Sequence, residues 1–242
     1  MSGHSKWHNI QGRKGKQDAL RSNLFSKFSK AISIAAKQGG GDMAINFSLR
    51  LAVDKAKAAG MPKDNIDRAI KKGTGELNDG TQVEEMLYEA YGPGGVAIMI
   101  RCLTDNKNRT VQEIKHIVSD KGGSFGNAGS VSWMFQQLGY ILIEADKQPA
   151  NREEFEMEMI DAGVEDIQEA EGGGLEIKTK TENFKKVVDK LREMNIETKE
   201  SGLIWSAKDK VPISEEVQGK LEKLFGDLED NDDVEDFYTN AE

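Results

Sequence analysis

Trp7 stands among the cations Lys6, Arg13, Lys14 and Lys16, which are spaced by Gly, Gln and Asn. Residues of these types can neutralise phosphates and stack on an unpaired base. Glycine between the charges lets the main chain follow a phosphate backbone, and each phosphate neutralised releases a counterion. Bases free to stack on an indole occur in single strands, loops and folded RNA rather than in intact duplex. Arg21, Lys27 and Lys30 continue the run, so the first thirty residues hold seven Lys or Arg against one acid, Asp18. Lys6, Trp7, Arg13, Lys14, Lys16, Arg21, Lys27 and Lys30 are therefore the candidate nucleic-acid contacts. The plainer alternative is that Trp7 folds onto the first helix and the lysines only solubilise the chain. Asn106, Asn108 and Arg109, at the exit of an apolar run and the start of a helical pattern, offer either a second contact or simple helix capping.

Other chemistries find little support. His4 and His8 are four residues apart, but no cysteine is near and the third histidine, His116, sits in a helical pattern, so no metal site is expected. The acidic stretch 227–236 lacks the glycine and glutamate that a calcium loop needs at its sixth and twelfth positions, and reads as a solvated acidic surface. Gly122–Gly129 is glycine-rich, yet it follows a helical pattern instead of opening one and has no GK[ST], so nucleotide binding is not expected. No G-x-S-x-G, no HExxH and no Cys beside a plausible His occurs. The chain reads as a non-enzyme without cofactor, metal or small-molecule substrate.

Charge divides the chain. Up to Lys72 there are fifteen basic and five acidic residues, which leaves eighteen basic and thirty-seven acidic residues in the remaining 170, within a formal net charge of −9. A cationic end that meets a polyanion, carried by a larger acidic body, is the simplest account. No run of about 18 apolar residues is present, and charges and glycine occupy the place of a signal peptide's apolar core, so a cytoplasmic protein with no membrane partner is expected. Cys102 lies alone in the apolar run Val96 to Leu103 and reads as a buried structural thiol.

The elements that would position these residues follow from periodicity. Residues 1 to about 22 hold few apolar side chains and read as an arm that a partner must hold. From Asn23, Leu24, Phe28, Ala31, Ile32 and Ala35 predict a helix, with Lys27 and Lys30 off its stripe, closed by Gly39–Gly41. A second helix is expected from about Met43 to Ala59 with Ile45, Leu49, Ala52, Val53 and Ala56 inward, and a third from Pro62 to Gly73. The last two could be taken for a helix-turn-helix with Pro62 to Lys72 as the reading helix, a weak signal that any helical hairpin shares. A hairpin is expected around Gly92-Pro93-Gly94-Gly95, then a helix with Val111, Ile114, Ile117 and Val118 inward, then a strand from Val131 to Phe135. Residues 139–207 give the order βαββαβ of a ferredoxin-like domain, with nine basic and seventeen acidic residues. A helix from about Ser214 to Leu228 and a strand from Val234 to Tyr238 follow. The fold class is α+β: an N-terminal three-helix domain followed by two α/β domains, one ferredoxin-like and inserted into the other. The corresponding divisions are 1–80, 81–138 plus 208–242, and 139–207.

Three separated motifs, Gly3-His4-Ser5-Lys6-Trp7, Tyr91-Gly92-Pro93-Gly94-Gly95-Val96-Ala97 and Leu103-Thr104-Asp105-Asn106-Lys107-Asn108-Arg109-Thr110, resemble the signatures of the YebC/PmpR family over essentially the whole chain. Lys107 departs from the Arg of many members and keeps the charge. The resemblance implies a three-domain cytoplasmic protein of a kind described as a probable DNA-binding transcriptional regulator. It equally implies a translation role, since some members, including a mitochondrial relative, act at the ribosome to relieve stalling on difficult peptide sequences such as proline runs. The expected partner is thus DNA, or ribosomal RNA within the ribosome.

Overall fold

The computed structural model describes residues 17–77, 80, 82–170 and 172–242, with side chains from residue 22 onward. Its internal contacts divide these into two compact units, one within residues 10–134 together with 209–242 and one comprising 135–208. Among the described residues, seven helices and two four-stranded sheets form an α+β fold, with the helices leading.

The larger unit opens with α1 (Gln17–Gly39), α2 (Phe47–Ala58) and α3 (Lys63–Thr74). Helix α1 begins six residues before the expected Asn23, so Arg21 belongs to it. Phe28, Ile32, Ala35 and Ala36 of α1 meet Leu49, Val53 and Ala56 of α2 and Ile66 and Ala69 of α3 in one apolar core. Gly73 does not stop α3 as its residue type suggests. A Cβ there would lie 2.7 Å from that of Ala36 and run into the Ser33 carbonyl, so glycine is what lets α3 reach α1. The stop is Gly75, whose φ of 81° is the left-handed cap conformation. Helix α2 starts four residues later than expected because Asn46 caps it, its side chain accepting from Leu49 N at 3.0 Å. Ile45 is thereby left outside the helix and 78% exposed, against its expected place in the core.

Strands β1 (Glu84–Tyr91) and β2 (Ala97–Thr104) pair antiparallel through the Gly92–Gly95 turn. After α4 (Lys107–Asp120) comes the short β3 (Ser124–Phe125). Past residue 208 the chain returns as α7 (Glu215–Asp230) and β8 (Val234–Thr239), completing an antiparallel sheet of order β3-β1-β2-β8. Strand β2 is apolar from Ala97 to Leu103 at every position but Arg101 because both its faces are covered. On one face Phe237 stacks on Phe225 of α7 at 4.7 Å; on the other Leu103 packs with Ile34 of α1 and Val83. Helix α1 therefore serves two cores, and this draws the helices and the sheet into one unit.

The expected strand Val131–Phe135 does not form. Its pairing is replaced by β3 and by a 3-10 turn at Ser132–Met134, and Phe135 instead opens β4 of the other unit. The cause is Glu89 of β1. Its carboxylate accepts from Gly129 N at 2.7 Å, Val131 N at 2.6 Å and Ser132 N at 2.9 Å, holding the segment as a loop whose N–H groups cannot join a ladder.

The smaller unit runs β4 (Phe135–Ile143), α5 (Arg152–Ala162), β5 (Val164–Glu169), β6 (Leu175–Lys180), α6 (Thr181–Glu193) and β7 (Glu200–Ala207). Its antiparallel sheet has the order β5-β6-β4-β7, which is the ferredoxin-like arrangement. Ile141, Ile143, Phe155, Met159, Ile177, Val187 and Leu191 are fully enclosed. Gly139 lies under the Phe184 ring, where a Cβ would come within 2.6 Å.

Candidate nucleic-acid interface

Of the expected contacts, Lys6, Trp7, Arg13, Lys14 and Lys16, like His4 and His8, lie outside the described residues, as does the side chain of Arg21. Lys27 and Lys30 lie within them, and both point into the fold. Lys27 Nζ donates to the Glu229 carbonyl at 2.8 Å, and Lys30 Nζ donates to the Asp232 carbonyl at 2.9 Å and to Asp233 Oδ1 at 2.6 Å. Burial pulls the Lys27 ammonium below the usual lysine range, against the opposing charges of Glu235, Asp232, Asp236 and Glu229. These two cations fasten α1 to the α7–β8 turn and are not presented to phosphates. Lys27, Lys30, Ala31 and Ile34 share a helical spacing, but two lysines on that face read in sequence as its solvent side.

Asp233 is the centre of that junction. Its side chain is 2% exposed and receives Lys30, Arg109 Nη2 at 2.8 Å, Thr110 Oγ1 at 2.7 Å and Thr104 Oγ1 at 3.2 Å. Burial would raise this carboxyl, but hydrogen bonds from Lys30, Arg109 and Thr110 outweigh it and hold the pKa at about 2. The solvated surface expected for 227–236 is corrected here, because Asp233 is enclosed. Neighbouring Glu235 is pushed up, by burial first and by Asp236 second.

The second candidate contact resolves mostly into the same hub. Asn106 caps α4, its Oδ1 accepting from Arg109 N at 3.1 Å, while its own N–H donates to Thr104 Oγ1 at 2.9 Å. Arg109, 46% exposed, pairs with Asp233 and with Asp105 at 3.3 Å. Asn108 is exposed. Lys107 pairs with Glu84 at 2.7 Å. Capping and pairing thus account for Asn106 and Arg109.

The glycine-rich stretch offers no vacant cradle at its C-terminal end. Gly129 N, with Val131 N and Ser132 N just beyond the stretch, already holds Glu89; burial works against that carboxylate's charge, and the backbone N–H groups of Val131, Gly129 and Ser132 prevail, keeping its pKa below the usual range. Nearby, Ser130 O accepts from both Tyr91 Oη at 2.8 Å and Trp133 Nε1 at 3.1 Å.

The helical bundle also carries cations that face outward. Lys37 on α1, Lys57 on α2, and Lys63, Arg68 and Lys71 on α3 are exposed. Sequence reading counts them as charge, but only the fold separates them from Lys27 and Lys30. On α3 they alternate with exposed Asp64 and Asp67. Among the described residues, no group of three or more His, Cys, Asp or Glu has the geometry to hold a metal ion, and no helix is long and apolar enough to cross a membrane.

A basic helical bundle keyed through a buried aspartate to an α/β body that continues into a ferredoxin-like unit defines the class. Profiles of the TACO1/YebC protein N-terminal domain and of the TACO1/YebC second and third domain match residues 5–76 and 83–241, and the chain belongs to this family. It is 49% identical to a protein of Bacillus licheniformis named "Probable transcriptional regulatory protein", with 100% of both chains covered. A protein of the same name from Thermotoga maritima is 47% identical, covering 100% of this chain and 94% of that one. The crystal structure of a conserved hypothetical protein from Aquifex aeolicus superposes with a TM-score of 0.87 at 40% identity, covering 98% of this chain and 97% of that one.

Proposed function

We propose that this protein is a cytoplasmic nucleic-acid-binding regulator of gene expression that grips phosphates through its basic N-terminal region, without catalysis or cofactor. The observation that carries this reading is charge segregation: fifteen basic and five acidic residues up to Lys72, against eighteen and thirty-seven beyond it. The outward cations of the bundle and the names of the relatives support it, and those names favour DNA as the target. A second reading, a translation factor on ribosomal RNA that relieves stalling during peptide-bond formation, is favoured by α3. Its exposed face alternates Lys63, Arg68 and Lys71 with Asp64 and Asp67, a poor surface to lay along a phosphate-lined groove.

Changing Lys6, Arg13, Lys14 and Lys16 together to Gln should weaken binding by at least about tenfold near physiological salt. It should also flatten the plot of log K against log salt by about 0.7–0.9 per lost phosphate contact. Unchanged affinity and slope would remove the arm from the interface. Crosslinking in cells followed by sequencing separates the two targets. A transcriptional regulator gives a sequence-dependent DNA footprint, and a translation factor gives ribosomal RNA together with cosedimentation on ribosomes.

A further inference from the structure

Ile45 reads as a core residue in the sequence and is instead among the most exposed large apolar side chains of the described chain, at 78%, with Met43 two residues away at 37%. Isolated exposed apolar residues are ordinary. These two differ in that the loop presenting them is locked. Asn46 is buried, and its Nδ2 donates to the carbonyls of Ala35 at 2.8 Å and Gly40 at 2.7 Å while its Oδ1 caps α2. Asp42 closes the turn, its Oδ1 accepting from Ala44 N at 2.8 Å and its carbonyl from Asn46 N at 2.7 Å. Gly40 takes a φ of 83°, which a side chain would strain. The knuckle has a fixed shape, and that shape keeps Met43 and Ile45 in water.

Lysines lie on both sides of it, and exposed Asp42 is part of the knuckle itself. Lys37 lies in the last turn of α1 that leads into the knuckle. Gly41 rests against Ile70 and Thr74 of α3, beside Lys71. An apolar tip among cations suits a partner with negative charge outside and flat apolar surfaces inside, which describes nucleic acid with an unstacked base. Apolar side chains such as Ile and Met can insert between bases at the cost of unstacking them, a cost that is smallest at the unstacked loops and bulges of folded RNA.

Resting on the nucleic-acid reading above, we propose that Met43 and Ile45 form an apolar wedge that inserts beside an unpaired base of a folded RNA while Lys37 and Lys71 contact the flanking phosphates. The probe is an RNA hairpin carrying a single bulged 2-aminopurine, compared with the same hairpin fully paired. The wild-type protein should bind the bulged hairpin more tightly and change its fluorescence. A Met43→Ser/Ile45→Ser variant, altered only at exposed positions, should lose about tenfold on the bulged RNA along with the fluorescence change, keep its affinity for the paired one, and keep the same salt slope. Equal binding of the two hairpins by wild type, or an unaltered variant, overturns the wedge while leaving phosphate gripping intact. Loss of binding to both RNAs in the variant also overturns it, since that would mean a general defect. If wild type binds neither RNA at any salt and the Lys6, Arg13, Lys14 and Lys16 variant behaves identically, the nucleic-acid reading itself fails, and the wedge with it.

Discussion

Among single residues, Asp233 does the most to tie the fold together. One enclosed carboxylate accepts from a lysine on α1, an arginine and a threonine on α4 and a threonine at the end of β2. Replacing it with Asn would leave Lys30 largely buried without its counter-charge, and removing one partner of a buried pair costs about 3–5 kcal/mol. We expect Asp233→Asn to lower the urea midpoint at pH 7 by an amount corresponding to about 2–4 kcal/mol. Because the folded carboxyl titrates at about 2, below its unfolded value, its contribution is complete above about pH 4. It fades as pH falls toward 2. The gap in stability between wild type and variant should therefore narrow over that window, and a constant gap would remove Asp233 from the acid response. The same neighbourhood governs Cys102. Burial, reinforced by Asp233, pushes its thiol up to about 12, in keeping with the inert thiol that its apolar run suggests. The acids of 227–236 were legible as charge, but which of them is buried was not, because burial of a carboxylate depends on donors more than a hundred residues away.

Among elements, α1 is the one on which the rest depend. Its bundle face was legible from the period of Phe28, Ile32 and Ala35. Its sheet face, with Ile34, Lys27 and Lys30, looked like the solvent side, since two lysines there are the usual sign of exposure. Contact between α1 and α3 turns on Gly73, which sequence reading takes for a helix stop. Gly73→Ala should gain a little in helix propensity and lose more by forcing the helices apart, for a net loss of about 1–3 kcal/mol seen as a lower melting temperature. If the variant is more stable instead, the close approach of α3 to Ser33 is not a constraint. Helix α2 gives the complementary case: Asn46 supplies a strong N-cap, so the helix starts beyond Ile45 even though Ile45 fits the helical period.

For the whole molecule, the ferredoxin-like unit is an insertion within the chain of the larger unit. Phe135 pairs directly with Ala207, so the chain enters and leaves the unit on adjacent strands. Replacing residues 135–207 with a short Gly-Ser linker should leave the remaining unit folded, with its nucleic-acid affinity changed less than about threefold, read by thermal melting and by titration. Loss of cooperative melting would show that the larger unit needs the smaller one. By itself the sequence determined the segregation of charge, the α+β class, the βαββαβ order of 139–207 and three motifs of the family, because these depend on composition, local periodicity and short spacing. Only the tertiary structure decided which cations are free. Lys27 and Lys30 differ from Lys57, Lys63, Arg68 and Lys71 in nothing the local chain can express; they differ in having the turn after α7 folded over them. Ile45 was decided in the same way, since a side chain is buried only where another element arrives to cover it, and none of the described elements does.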